Sequence, residues 1–327
     1  MSIDNINSIG RRAGSLSYSK KYKKENFQYR CKKDFKKYKE VYIMLIPVIL
    51  FYLIFSYKPM YGALIAFKEF SPAKGIIDSP WVGFKNFIDF FTDIYFWRIL
   101  QNTLWISISS LVWGFPAPII LALLINELKN KVFVKTVQTI TYLPYFVSLV
   151  VICGMIKDFV SDRGVITTFA GIFGFPAINM LQESNLFVPV YVISDIWQGI
   201  GWGSIIYLAA LSGISQDLYE AATIDGAGRW RQTLSITIPG IMPTIIVLLI
   251  LRMGGLLSVG FEKIILLYNP AIYATSDVIS SYVYRKGILE QSWSFSTAVG
   301  LFNSVINFIL IITANRLSRK FNDRSIW

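Results

Sequence analysis

Six stretches of the chain carry apolar residues on every face a helix would present: 41–57, 99–126, 133–156, 186–211, 240–261 and 295–315. A helix that crosses a bilayer needs roughly 20 predominantly apolar residues, and these runs predict six such crossings. No 3.6-residue alternation marks a wet face in them, as lipid requires. Pro47, Pro116, Pro118, Pro144, Pro189 and Pro243 fall inside or at the ends of the runs. In a soluble helix each would be costly, whereas neighbouring helices in a membrane bundle re-satisfy the freed carbonyls. The first run follows a charged leader of about 40 residues, and no small-x-small site comes after it, so it reads as an uncleaved helix rather than a signal peptide. The predicted fold class is all-α, a polytopic membrane protein.

The polar segments between the runs fall into two sets. Segments 1–40, 127–135, 214–238 and 315–327 together hold 21 basic and 9 acidic residues, while the rest of the chain has 11 of each. The whole net charge of +12 therefore sits on alternate connections. Basic residues accumulate on the cytoplasmic side of membrane proteins, so both termini are expected there. The other set, 58–98, 157–185 and 262–294, is expected outside. Residues 58–98 are rich in aromatics and broken at Pro59, Gly62 and Ser71-Pro72, which suits a segment at the membrane interface.

Composition sharpens this picture by exclusion. Charged residues make up 16% of 327 residues and mean hydropathy is +0.50, too little charge for the polar skin of a soluble domain. The absence of histidine removes His-based triads, metal sites and proton relays. Cys31 and Cys153 are too few and too far apart for a disulfide framework or zinc ribbon, and read as unpaired thiols. The lysine-rich leader reads as a topology anchor against anionic lipid, at about 1 kcal/mol per basic residue, and not as a nucleic-acid arm. No G-x-x-x-x-G-K-[ST] phosphate loop and no catalytic motif occur, so the chain is not expected to be an enzyme or to bind ATP itself.

The connection between the fourth and fifth runs carries the most information. Over Gly213–Pro239 it predicts two short helices and a bend. Ser215 and Asp217 both suit the N-cap of the first. Glu220, Ala221 and Ala222 form helix readily, and the alanine pair leaves a shallow face for close approach. Gly226 permits the turn. A second turn or two from Arg229 to Ile238 is expected to stop at Pro239.

The run Glu220-Ala221-Ala222-x-x-Asp225-Gly226-Ala227, with Pro239 thirteen residues after the glycine, resembles the cytoplasmic loop motif of ABC importer permeases. Ile238 stands where leucine is commoner. Tyr57-Lys58-Pro59-Met60-Tyr61-Gly62, Ala66-Phe67-Lys68, Ser79-Pro80-Trp81-Val82-Gly83, Leu301-Phe302-Asn303-Ser304 and Ala314-Asn315-Arg316 are similar to the subgroup that imports oligosaccharides and polysaccharide fragments. The resemblance implies a type I ABC importer permease fold in the plasma or inner membrane. It also implies a division into a basic segment 1–40, a first helix and external connection 41–98, a five-helix core 99–316 with its coupling loop at 213–239, and a tail 317–327. Glu220, Ala221, Ala222 and Gly226 would dock on a separate ATPase, with Asp225 and Pro239 setting the loop's shape. Implied partners are a second homologous permease, two ATPase subunits that hold ATP and magnesium, and an external solute-binding lipoprotein. No cofactor is implied on this chain.

Ionisable residues within spans are functional candidates by default. Asp195, Arg252 and the Glu262-Lys263 pair qualify. Asp195 and Arg252 are expected either to pair with each other or to meet substrate. Trp197, Gln198 and Trp202 fit sugar recognition, in which rings stack and amides bond hydroxyls. The neighbouring Gly199, Gly201 and Gly203 equally fit close helix packing. Asn102, Asn303 and Asn307 either line the path or bond between helices. An ion-coupled secondary carrier is the alternative function. It would need an ion site, and the inverted repeats common in such carriers are not evident.

Overall fold

The computed structural model describes residues 37–322. The basic leader up to residue 36, with Cys31, lies outside the described residues. Two units emerge, ending at Gly62 and starting at Ala63. The first contains helix α1 (Lys39–Tyr52), continued by a π turn at Leu53–Tyr57 and a further helical turn at Lys58–Met60. Every described residue of α1 is exposed, as its all-round apolar sequence requires of a helix facing lipid or another chain.

In the second unit, α2 (Lys85–Thr92) precedes α3 (Phe96–Gly114) and α4 (Pro116–Asn126), which together make a span of 31 residues. Then come α5 (Lys131–Tyr142), α6 (Leu149–Phe159), α7 (Val165–Ile172) and the 29-residue α8 (Ser184–Ser212). The bend consists of α9 (Gln216–Ile224) and α10 (Arg229–Gln232), and leads into α11 (Ile238–Met253). Helices α12 (Phe261–Leu267) and α13 (Ile279–Tyr284) precede the last, α14 (Trp293–Asn322). The architecture is all-α. Among the described residues extended pairing is confined to one isolated bridge, Lys68 with Trp81.

Each of the six predicted runs overlaps helix, and two of them are redrawn. Four helices are long and apolar enough to cross a membrane, and five if one bent pair counts as a span. Helix α8 has the length, but Asp195, Gln198, glycines and serines dilute its apolarity, so the count of six is not reached on that criterion. The third run is not one helix. Leu143–Phe146 tightens into a 3-10 turn at Pro144, Val147 and Ser148 are extended, and the helices on either side meet at 103°. The fifth span runs from Arg229 to Met253 rather than over 240–261. Pro239 does not stop a helix there. A proline ring clashes with the carbonyl four residues earlier, and the π turn Thr233–Thr237 widens the helix at that point. Pro59 is preceded by a π turn in the same way.

Helix α8 runs through the centre of the unit. Phe187, Val188, Tyr191 and Val192 pack with Ile106 of α3, Ile152 and Ile156 of α6, and Ile264 and Leu267 of α12. At its other end Tyr207 and Leu211 meet Ala122 and Ile241. Gly201 is needed where α8 crosses α5, since a Cβ there would lie 2.2 Å from the Thr141 carbonyl oxygen. The external connection folds into a small knot. Lys68 Nζ donates to the Ile76 and Ile77 carbonyls (2.7 and 2.8 Å), Asn86 Nδ2 donates to Ala66 O (2.9 Å), and the Phe67 and Trp81 rings stack 5.7 Å apart.

Candidate functional site

The bend at 213–239 stands out from the body of the unit with its predicted shape. Ser215, not Asp217, caps α9, accepting from the Asp217 N–H at 3.3 Å. Gly226 takes φ +78°, a left-handed conformation that closes the turn after Asp225, and the Ala227 N–H reaches back to Ala222 O at 2.8 Å. Glu220, Ala221, Asp225 and Gly226 are exposed and Ala222 is half-buried. Around them Leu218, Ile224 and Trp230 are left open, Ile224 at 86% exposure and Trp230 at 78%. Apolar patches left open in this way characterise surfaces that meet another protein or the membrane. Pro239 sits in the first turn of α11, and Ile214 packs so closely on Gly240 that a Cβ there would meet it at 2.7 Å. Arg229 reaches Glu127 at 3.5 Å, linking the bend to the α4–α5 connection.

A second constellation lies among the spans. A polar cavity of about 190 Å³ is lined by Ser107 and Ser110 of α3, Tyr191 and Asp195 of α8, and Arg252 and Ser258. Asp195 does not pair with Arg252 as expected. Its partner is Lys263, Nζ to Oδ1 3.5 Å, and the Lys263 ammonium also lies over the Tyr191 ring at 5.1 Å. The reason is the path of the chain beyond Met253, which leaves α11 and brings α12 back against α8. Arg252 lines the same cavity and is exposed. Ser107 and Ser110 are buried, and neither hydroxyl has a hydrogen-bond partner in the protein. Such a group is normally satisfied by a ligand or a water. Sequence reasoning passed over both serines, whose only signal is two hydroxyls three residues apart in an apolar span. A larger groove of about 940 Å³ between α3 and α8 is mostly apolar and contains neither Asp195 nor Arg252.

The remaining candidates scatter. Trp202 is stacked face to face on Tyr145, centroids 4.7 Å apart, and edge-on to Phe146. Trp197 is exposed and Gln198 half-buried. Asn303 lines a separate pocket of about 510 Å³ with Ser280 and Thr297, its Oδ1 unpartnered there. Asn102 and Asn307 bond between elements, Asn102 to the Ala274 and Asp277 carbonyls and Asn307 to Leu257 N–H and Ser258 Oγ. Cys153 is a buried free thiol. No cluster of metal ligands occurs among the described residues.

The segment after α12 contains an ionic clamp that drew no attention in the sequence. Asp277 is fully buried and bound by Arg285 through two nitrogens (2.6 and 3.2 Å), by the Ser281 hydroxyl (2.8 Å) and by Arg98 at 3.7 Å. Burial alone would lower the Arg285 pKa, but the bonded Asp277 carboxylate offsets this and holds it above its usual value. Tyr282 is raised by burial and then by its bond to Asp93 (2.5 Å), and burial with the Tyr273 contact pushes Tyr268 up to about 12.

A family profile described as the inner membrane component of binding-protein-dependent transport systems matches residues 114–323. The protein LplB of Bacillus subtilis (strain 168) is 45% identical, over 89% of this chain and 92% of its own. The polygalacturonan/rhamnogalacturonan transport system permease YteP of the same organism is 42% identical, over 88% and 90%. Among solved structures, a bacterial ABC transporter involved in import of the acidic polysaccharide alginate superposes with TM-score 0.83 at 44% identity, covering 90% of this chain and 99% of that one. A structure of the bacterial alginate transporter with its pentasaccharide-bound periplasmic protein gives TM-score 0.84 at 43% identity, covering 91% and 100%.

Proposed function

The chain belongs to the binding-protein-dependent transport system inner membrane components, and from that premise we propose that it is one permease of an ATP-driven importer of acidic oligosaccharides or polysaccharide fragments. The observation that carries this reading is the exposed bend. Glu220, Ala221 and Gly226 are left exposed by the described chain, with Ala222 half-covered beside them, and Asp225 and Pro239 shape the bend near the foot of a membrane span.

A separate ATPase holding ATP and magnesium docks there and drives alternating exposure of the path. A second permease, a second ATPase subunit and an external solute-binding lipoprotein complete the assembly. Both termini are cytoplasmic, because the basic segments then share a side with the bend. The path runs past the cavity at Asp195 and Arg252, where Ser107 and Ser110 meet substrate hydroxyls. Arg252 supplies a cation for carboxylates, which favours acidic sugars, while Lys263 is held by Asp195. Trp197 and Gln198 extend the path along α8. Trp202 already has one face covered by Tyr145, and Asn303 serves a different pocket, so both are weaker members of it.

The test is uptake into proteoliposomes holding the chain with its co-purified partners. ATP-dependent accumulation of oligogalacturonide or alginate oligosaccharide supports the reading. Accumulation by the chain alone, driven by an ion gradient, would establish the carrier alternative instead.

A further inference from the structure

The bend is closed on itself by side chains. Gln232 Nε2 donates to Thr223 Oγ1 at 2.9 Å and to Ala227 O at 2.9 Å, and Thr223 Oγ1 in turn donates to Tyr219 O at 2.7 Å. On the other side the Tyr219 hydroxyl lies 3.0 Å from Thr237 Oγ1, which is 3.4 Å from Gln232 O. Following these bonds returns to the starting residue: Gln232, Thr223, Tyr219, Thr237, Gln232. The ring spans α9, α10 and the π turn at the foot of α11. Its anchor is Thr237, 2% exposed, whereas Glu220, one residue from Tyr219, is open to a partner.

We propose that Tyr219, Thr223, Gln232 and Thr237 are positioning residues that make α9 and the foot of α11 a single lever, so that force applied at Glu220–Ala222 turns the span instead of flexing the bend. This rests on the transport function proposed above. A bend held only by its backbone would have two soft points. One is the left-handed glycine at 226, and the other is the π turn, whose wide ring leaves the helix locally loose. The hydrogen-bonded ring bridges both. Its bonds are all between neutral groups at a partly exposed element, so each depends on a specific donor or acceptor that a single substitution can remove.

Gln232→Glu tests this, because it keeps size while replacing the donating amide by a carboxylate facing the Ala227 carbonyl. Tyr219→Phe tests the opposite side by removing one hydroxyl. Gln232→Arg retains N–H donors and serves as the rescue variant. Each is assembled with its ATPase subunits and binding protein in proteoliposomes, with alginate pentasaccharide and oligogalacturonide as the two probes. Uptake per ATP hydrolysed is measured alongside hydrogen exchange of amides 219–237.

The expected result for Gln232→Glu and Tyr219→Phe is a fall of at least fivefold in uptake per ATP, with ATP hydrolysis within twofold of the parent. Exchange should rise at least tenfold in the bend and not in α11 beyond its first turn. Gln232→Arg should keep the parent ratio. A proportional loss of both activities, or an unchanged ratio despite faster exchange, would overturn the lever. If the parent complex moves neither probe with ATP, the proposed transport function fails and the lever's role with it. If the parent transports and the variants stay coupled, the lever alone fails.

Discussion

The bend at 213–239 and the segment from α12 to α14 are both short helices joined by turns beside the spans, yet they are held in opposite ways. The bend is exposed, shaped by hydrogen bonds between mostly neutral groups, and leaves Ile224 and Trp230 uncovered. The other segment is knit into the unit by a buried carboxylate between two arginines, with Tyr282 fully covered against Phe90 and Val299. The difference shows where each surface is completed. A buried ion pair is worth little unless every charge is matched, and Asp277 has its matches within this chain. The bend leaves apolar area that the described chain does not cover. One region is finished by folding, and the other, on the function proposed here, by assembly.

The largest effect is expected from Asp277→Ala. It leaves Arg285, and to a lesser degree Arg98, facing a site with no anion, at a cost of about 3–5 kcal/mol. Thermal unfolding of the purified chain should show a greatly lowered midpoint, and membrane yield should drop. Unchanged stability would mean the two regions are held alike. Next come Glu220→Lys and Gly226→Pro, which should abolish uptake and pull-down of the ATPase while the chain stays in the membrane at parent levels. The first reverses a charge on the proposed docking face, and the second places a fixed negative φ where +78° is required. Retained substrate-dependent ATP hydrolysis in these variants would count against the docking role.

Tyr282→Phe should cost about 1.5–3 kcal/mol in stability, since the buried phenol donates to a carboxylate, and Asp93, itself half-buried, can take a water in place of the lost donor only in part. Smaller still is Arg229→Ala. The Arg229–Glu127 pair is exposed on both sides, and its loss should change stability by less than about 1 kcal/mol. The ionisable groups of the outer segment sharpen the contrast through pH. Tyr268 and Tyr282 are raised above the usual tyrosine value of about 10, and Arg285 is raised as well. For a group raised in the folded state, its contribution is complete below the unfolded pKa and lost as pH rises through the folded one. These three groups therefore add no slope to stability between about pH 6 and pH 9, a flatness that a thermal-shift series would check.

Much of this was legible before folding. The spans announce themselves because lipid demands unbroken apolarity, and the bend because Glu220-Ala221-Ala222 and Asp225-Gly226 are local instructions for a helix and a turn, whereas the helix running on past Pro239 was not readable from the proline alone. Asp195 stood out as a charge within an apolar run, with Arg252 as one expected partner, and the structure pairs it with Lys263 instead. Nothing local distinguishes Lys263, 68 residues away, from Arg252 at 57, and only the return of α12 onto α8 decides between them. The break at Val147–Ser148 was equally hidden. Proline is common within membrane helices, so Pro144 does not by itself announce a turn of 103°.

The amino-acid order by itself determined which segments leave water, which connections carry the positive charge and that the chain turns at Asp225-Gly226, because each of these depends on neighbours a few residues away. Tertiary structure alone decided which ions meet. The Asp277 clamp, the Asp195–Lys263 pair, the unpartnered Ser107 and Ser110 hydroxyls at one cavity and the hydrogen-bonded ring at Gln232 all join side chains whose nearness depends on how helices cross. A hydrogen bond or ion pair forms over about 3 Å, and apolar patterning along a chain does not fix the spacing between helices to that tolerance.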